Sequence, residues 1–211
     1  MESPAAALPG DAAQTCQLTE PSDHFRDSFL EGAAEFASEG RLESTYAAYL
    51  GYDLKRLGRD FASFVWDLRR MGDPSRLHQS GYQDLVYWLV EGGRYLGQSS
   101  IRPELGTPYL ITYGGHIGYS IRPMLRRLGY GRKILQLALE RCGELGLKRV
   151  LVTCDEDNEA SRRIIEANGG LFESSLVMDA VVARAEGRRD EDEVRKLRYW
   201  FELDAPSPRA P

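Results

Sequence analysis

The run Arg126-Arg127-Leu128-Gly129-Tyr130-Gly131 constrains this chain more than any other. It separates a strand-like stretch, 116–122, from a strongly helical one, 132–145. In the latter Ile134, Leu135, Ala138, Leu139, Cys142 and Leu145 recur at helical spacing before Gly146. Two glycines one residue apart at such a junction allow a sharp turn and a close approach of backbone to ligand. The first helical turn adds unpaired N–H groups and about half a positive charge from the macrodipole. Together these hold phosphate oxygens, so the local expectation is a pyrophosphate cradle with mobile arginines beside it.

Two familiar phosphate motifs are excluded. A P-loop needs Lys followed by Ser or Thr after its second glycine, and Gly131 is followed by Arg132-Lys133-Ile134. A dinucleotide fingerprint needs a third glycine at Ile134 and an acidic residue about 20 positions on, where Val150, Leu151 and Val152 stand.

The context of the cradle resembles the GNAT superfamily of N-acetyltransferases, whose acetyl-CoA motif Arg/Gln-x-x-Gly-x-Gly/Ala is matched by Arg126, Gly129 and Gly131. Downstream, 148–154 reads as the next strand, Asn158-Glu159-Ala160-Ser161 as the next helix start, and Asn168-Gly169-Gly170 as the family's frequent ending. The resemblance covers residues 84–182 in ordered spacing. It implies one α/β (α+β) domain over 15–204, with a mixed, mostly antiparallel central sheet flanked by helices. Within it, 15–80 would be a helical acceptor-side part, 84–182 the acetyl-CoA-binding core and 193–204 the last strand. Residues 1–14 and 205–211 have the composition of disordered tails.

The resemblance also implies an N-acetyltransferase that moves an acetyl group from acetyl-CoA, as cosubstrate and without a metal, to a primary amine in a ternary complex. A small molecule is the expected acceptor. A protein lysine or N-terminus, a longer acyl donor and a non-catalytic acyl-CoA-binding module remain open. The backbone of Arg127, Leu128, Gly129, Tyr130 and Gly131 would cradle the pyrophosphate. The strand around Tyr119, Ser120 and Ile121 would pair with the pantetheine arm and polarise the acetyl carbonyl, beside a splayed strand near Val152. Asn158 would contact the cofactor arm or cap its helix, with Ser161 in the same turn. The family's frequent acid, a Tyr seven positions after the asparagine, is replaced by Ile165. Tyr119 or Tyr130 is then the candidate acid, or the thiolate takes its proton from water. His116 stands where some members carry the base, and its near-neutral titration suits that role or a hydrogen bond within the sheet. Glu104 and Glu173 are further candidates.

The net charge of −5 and the lack of a basic stripe argue against nucleic acid. No run approaches the ~20 apolar residues that span a bilayer. Three scattered cysteines read as reduced thiols, and the start lacks signal-peptide character, so a cytoplasmic location is expected. Cys142 and Cys154 read as packing. A homodimer through the aromatic last strand, Tyr199-Trp200-Phe201, is expected by analogy. Elsewhere the periodicity predicts a strand at 15–20, a helix from about 22 to 39 and a second helical region over about 52–71. A hairpin over 85–101 and antiparallel strands over 170–182 and 193–203 complete the pattern.

Overall fold

The computed structural model describes residues 15–75, 81–187 and 193–203, so both proposed tails and most of the charged tip at 186–192 lie outside the described residues. The chain begins with β1 (Gln17–Thr19) and α1 (Arg26–Ser38). The helical region expected over 52–71 consists of two helices: α2 (Leu54–Arg59), capped where Asp53 Oδ1 accepts from Arg56 N at 2.7 Å, and α3 (Phe61–Arg70). Asp60, at φ −117° and ψ 36°, leaves helical backbone between them. Aspartate competes poorly for helix interiors because its carboxylate prefers local partners, here Arg56 and Arg59. Phe61 packs inward with Phe64, Val65 and Leu68, so these apolar residues are core.

That core packs on β2 (Leu85–Glu91), whose Val86, Trp88 and Val90 point toward the N-terminal helices. A two-glycine turn joins β2 to β3 (Arg94–Ile101), which pairs antiparallel with β4 (Ile117–Ile121). On the opposite face α4 (Tyr130–Glu144) lays Ile134, Leu135, Ala138, Leu139 and Cys142 against the sheet. The strand-like stretch at 116–122 is β4, which starts at Ile117 after Leu110–Gly114 forms one π-helical turn.

The remaining strands form a second ladder. β5 (Arg149–Asp155) pairs with β7 (Arg195–Glu202), which also pairs with β6 (Leu171–Val177), giving the order β5-β7-β6 beside β1-β2-β3-β4. Helix α5 (Glu159–Ala167) connects β5 to β6 and packs on α4. The strand predicted to run to Val182 stops at Val177, since Asp179 caps α6 (Ala180–Ala185) by accepting from Val181 N at 2.9 Å. The fold is thus mixed α/β, with antiparallel ladders flanked by helices. The two ladders touch at one bridge, Gly115 with Val152.

Candidate active site

That bridge is the apex of an open slot. His116 N donates to Leu151 O at 2.8 Å, and Thr153 Oγ1 donates to Tyr113 O at 2.6 Å. Beyond them no ladder joins β4 to β5 among the described residues, so an edge of β4 is left available for a ligand that pairs like a strand. Gly115, at φ 72° and ψ −175°, occupies backbone that is essentially restricted to glycine. A Cβ there would lie 2.6 Å from Leu151 O.

At the far end of β4 the chain passes through a 3-10 turn, Pro123–Leu125, into the cradle. Arg127 at φ 66° and Gly129 at φ 90° alternate left-handed with ordinary backbone, a pattern that gathers N–H groups into a concave anion site. The first helical acceptor, Gly129 O, is used by Arg132 and Lys133. The amides before them open outward at the positive end of the α4 dipole. These residues fit a pyrophosphate. The two glycines have separate reasons: Gly129 is demanded by its φ, whereas a Cβ on Gly131 would meet Ile164 Cδ1 at 2.6 Å, so Gly131 lets α5 approach α4. Arg126 is not mobile, being held by both carboxylate oxygens of Glu39 at 2.9 and 2.8 Å. Arg127 and Leu128 are exposed. Tyr130 points into the core and donates to Glu91 Oε2 at 3.1 Å, away from the slot.

The slot's walls carry the other candidates. Side chains alternate along β4: Ile117, Tyr119 and Ile121 face α4 and α5, while Gly118 and Ser120 face the N-terminal segment. Tyr119 Oη lies 2.8 Å from Ser161 Oγ, joining β4 to α5. Burial holds its phenol well above the ordinary tyrosine value, with Ser161 pulling it back, so it carries its proton at neutral pH. Asn158 caps α5, its Oδ1 accepting from Ser161 N at 3.0 Å. Ile165, in the place of the missing Tyr, is fully buried in the core. Burial raises Cys142 to about 12 and Cys154 to about 11, and neither thiol ionises at neutral pH.

His116 sits at the apex rather than in a free position. It is 8% exposed, and its Nδ1 accepts from Leu151 N at 2.9 Å. That contact assigns the neutral tautomer with the proton on Nε2, leaving no ring lone pair for a substrate proton. Burial lowers its proton affinity further, with the Arg102 guanidinium acting in the same direction. The geometry therefore gives His116 a role in closing the sheet. Glu173 is held by Arg198 and by Trp200 Nε1, which donates at 2.8 Å, and its carboxyl lies below the usual range chiefly through Arg198. Glu104 is exposed and does not line the pocket described next.

Across β4 from α4 and α5 lies a cavity of about 220 Å³, lined by Gly118, Tyr119 and Ser120 and by residues that no motif had marked. From β3 come Gln98 and Ser100, with Arg102 just after it, at every second position and so on one face. The 41–46 segment closes the cavity with Arg41, Glu43, Ser44 and Tyr46. Ser44 O ties it down by accepting from Gln98 Nε2 at 2.8 Å and Ser120 Oγ at 2.9 Å. The one signal in sequence was this polar alternation in a strand whose neighbour is apolar; Tyr46 and Arg41 had none.

The comparisons agree with this geometry. The family described as Acetyltransferase (GNAT) domain matches residues 59–170, and no curated protein matches in sequence. Solved structures with the same fold include RimJ of Mycobacterium smegmatis in complex with CoA-disulfide. It is 20% identical, with a TM-score of 0.60 over 91% of this chain and 84% of that one. The Salmonella typhimurium acetyltransferase that modifies the N-terminal serine of ribosomal protein L7/L12 is 18% identical, with a TM-score of 0.56 over 90% and 96%. The microcin C7 self-immunity acetyltransferase MccE, in complex with acetyl-CoA and AMP, is 13% identical, with a TM-score of 0.58 over 90% and 93%. With the family matched over more than half its length, and with a phosphate cradle, an open β4 edge and a polar cavity beside it, this chain belongs to the GNAT acetyltransferases, which take their acetyl group from acetyl-CoA.

Proposed function

We propose that the chain acetylates the α-amine at the N-terminus of a polypeptide. The carrying observation is the polar cavity on the side of β4 away from α4 and α5, bounded by Gly118, Tyr119 and Ser120. An acceptor entering there reaches the same strand that would hold the acetyl group, so proximity supplies much of the acceleration. A cavity of about 220 Å³ suits the first residue of an extended chain, and hydroxyl, amide and charged groups line it. The name of one structural neighbour, the enzyme acting on an N-terminal serine of a ribosomal protein, supports this over the small-molecule acceptor. The same modest size keeps a small amine as the second reading.

In this reading the β4 edge and the α4 amides hold the cosubstrate, Arg127 adds charge, and Asn158 and Ser161 flank its arm. Tyr119, protonated and bonded to Ser161, is placed to protonate the leaving sulfur. Tyr119→Phe should lower kcat by about 10²-fold, the usual lower bound for losing a positioned acid, and leave acetyl-CoA affinity within about twofold.

The test is acetylation of short peptides differing in their first two residues, alongside lysine-only peptides and small amines, read by mass spectrometry and free thiol. Acetylation confined to small amines would replace the peptide reading. Tight acetyl-CoA binding with no acetylated product at all would leave a binding module.

A further inference from the structure

The cavity contains a cluster that the cofactor side does not use. Tyr46 stands at φ 64° and ψ −8°, left-handed backbone that a bulky aromatic rarely adopts. Such outliers persist where their surroundings over-determine them, and they gather at functional sites. Here the backbone N–H donates to Glu43 O at 2.9 Å and the carbonyl accepts from Leu50 N at 3.0 Å. The phenol donates to Asp84 Oδ2 at 2.6 Å. Asp84 is 2% exposed, and its other oxygen lies 3.6 Å from Arg102 Nε. Arg102 in turn donates to Ser100 Oγ at 3.1 Å and to Gly115 O at 3.3 Å, the residue at the slot's apex. Beside them Gln98, 3% exposed, has its Oε1 buried without a hydrogen-bond partner among the described residues. A Cβ on Gly118 would lie 3.1 Å from Ser100 Oγ, so a glycine in β4 leaves the cluster directly against that strand.

We infer that Tyr46 and Asp84 form the relay that deprotonates the acceptor amine, with Gln98 Oε1 as the hydrogen-bond acceptor that positions it. This rests on the acetyltransferase reading of the site. Tyr46 Oη takes a proton from the incoming ammonium as its own proton passes to Asp84 Oδ2. The freed nitrogen pair forms the C–N bond to the acetyl carbon, and the C–S bond breaks with its electrons going to sulfur. Tyr119 protonates that sulfur and is replenished by the second proton the nitrogen sheds. Asp84 returns its proton to water through Tyr46, so one proton is released per turnover. Burial, and then Asp84 itself, keep the Tyr46 phenol protonated between cycles. The other titratable and charged groups around the pair are Tyr49, whose ring lies 6.2 Å from that of Tyr46, Arg102, Tyr82 and Tyr109 beyond Asp84, and Arg41 and Glu43 at the rim. Arg102 and Arg41 oppose an ammonium while Asp84 and Glu43 attract it, so the proton must be removed by transfer to the pair rather than by the local field.

The experiment measures kcat/KM from pH 6 to pH 9 for wild type, Tyr46→Phe and Asp84→Asn, on the fastest acceptor from the panel above. Acetyl-CoA titration calorimetry and melting curves accompany it. Without the relay only the free amine reacts. For an α-amine of pKa about 7.7–8.0, the deficit of Tyr46→Phe should then be about 50- to 100-fold at pH 6, about 5- to 10-fold at pH 7 and within about twofold at pH 9. Acetyl-CoA affinity should be unchanged. A merely structural role would give a constant factor across pH; that result, no deficit, or loss of acetyl-CoA binding overturns the relay while leaving the acetyltransferase reading in place. A wild type that acetylates no amine overturns both. Should Asp84→Asn fail to fold, Tyr46→Phe decides alone, since it keeps ring and backbone.

Discussion

Gly115→Ala should collapse the apex of the slot, and its cost can be built from the geometry. At φ 72° and ψ −175° an L-residue is strained by about 1–3 kcal/mol. The new methyl would lie 2.6 Å from Leu151 O, a backbone atom that cannot rotate away. Relieving that contact separates the strands and breaks the 2.8 Å bond from His116 N to Leu151 O, worth about 0.5–1.5 kcal/mol net. The sum is a loss of about 1.5–4.5 kcal/mol. Gly143→Ala is the control: a Cβ there meets nothing within 4 Å, and α4 should gain about 0.4–1 kcal/mol. Guanidinium unfolding with a shared m-value gives both numbers, and acetyl-CoA titration reports the slot. The Ala variant should bind at least about tenfold more weakly even where it is folded. A Gly115→Ala protein within about 0.5 kcal/mol of wild type, with unaltered affinity, would refute the claim that this joint sets the opening between β4 and β5.

Two further perturbations probe the supports of the site. Arg122, 6% exposed, holds Glu35 at 2.9 and 2.6 Å and Glu31 at 3.1 Å, with its stem lying over Gly32 of α1. Arg122→Ala should cost about 2–3 kcal/mol by leaving a half-buried carboxylate unpaired, and a denaturant midpoint unchanged from wild type would count against it. His116 titrates lower in the folded chain than in the unfolded one, so acidification favours the unfolded chain. Its contribution is fully present above about pH 6.5 and is lost as pH falls below that toward the folded value. Unfolding midpoints at pH 7.5 and 5.5 should differ more for wild type than for His116→Gln, and equal differences would remove His116 from the acid response.

Much of the turn at 126–131 and of the helix starts after it was legible because their determinants are local. A left-handed turn needs Gly129 wherever it occurs, and the helix that follows carries its amides and its dipole with it. Asn158 capped its helix as its position implied, since capping is decided within four residues. What spans distant segments was less legible. The helical region over 52–71 broke at Asp60 because tertiary burial of Phe61 and two nearby arginines outweighed a continuous periodicity. Gly131 looked like a phosphate residue and turned out also to admit Ile164, a contact 33 positions away in the chain. His116 suited a base until the fold gave its Nδ1 to Leu151 N.

The sequence alone determined the family, the cradle and the strand–helix order around it, since glycine geometry, helix periodicity and hairpin turns are short-range properties of the chain. The tertiary structure decided the slot and the polar cavity beside β4. The separation of β4 from β5 depends on a single bridge between residues 115 and 152, and the cavity on packing the 41–46 segment over alternate residues of β3 and β4. No local preference encodes those meetings. They follow from burying the apolar faces of β2 and α4 together, which leaves the polar face of β3 and β4 looking into a space that only the folded chain encloses.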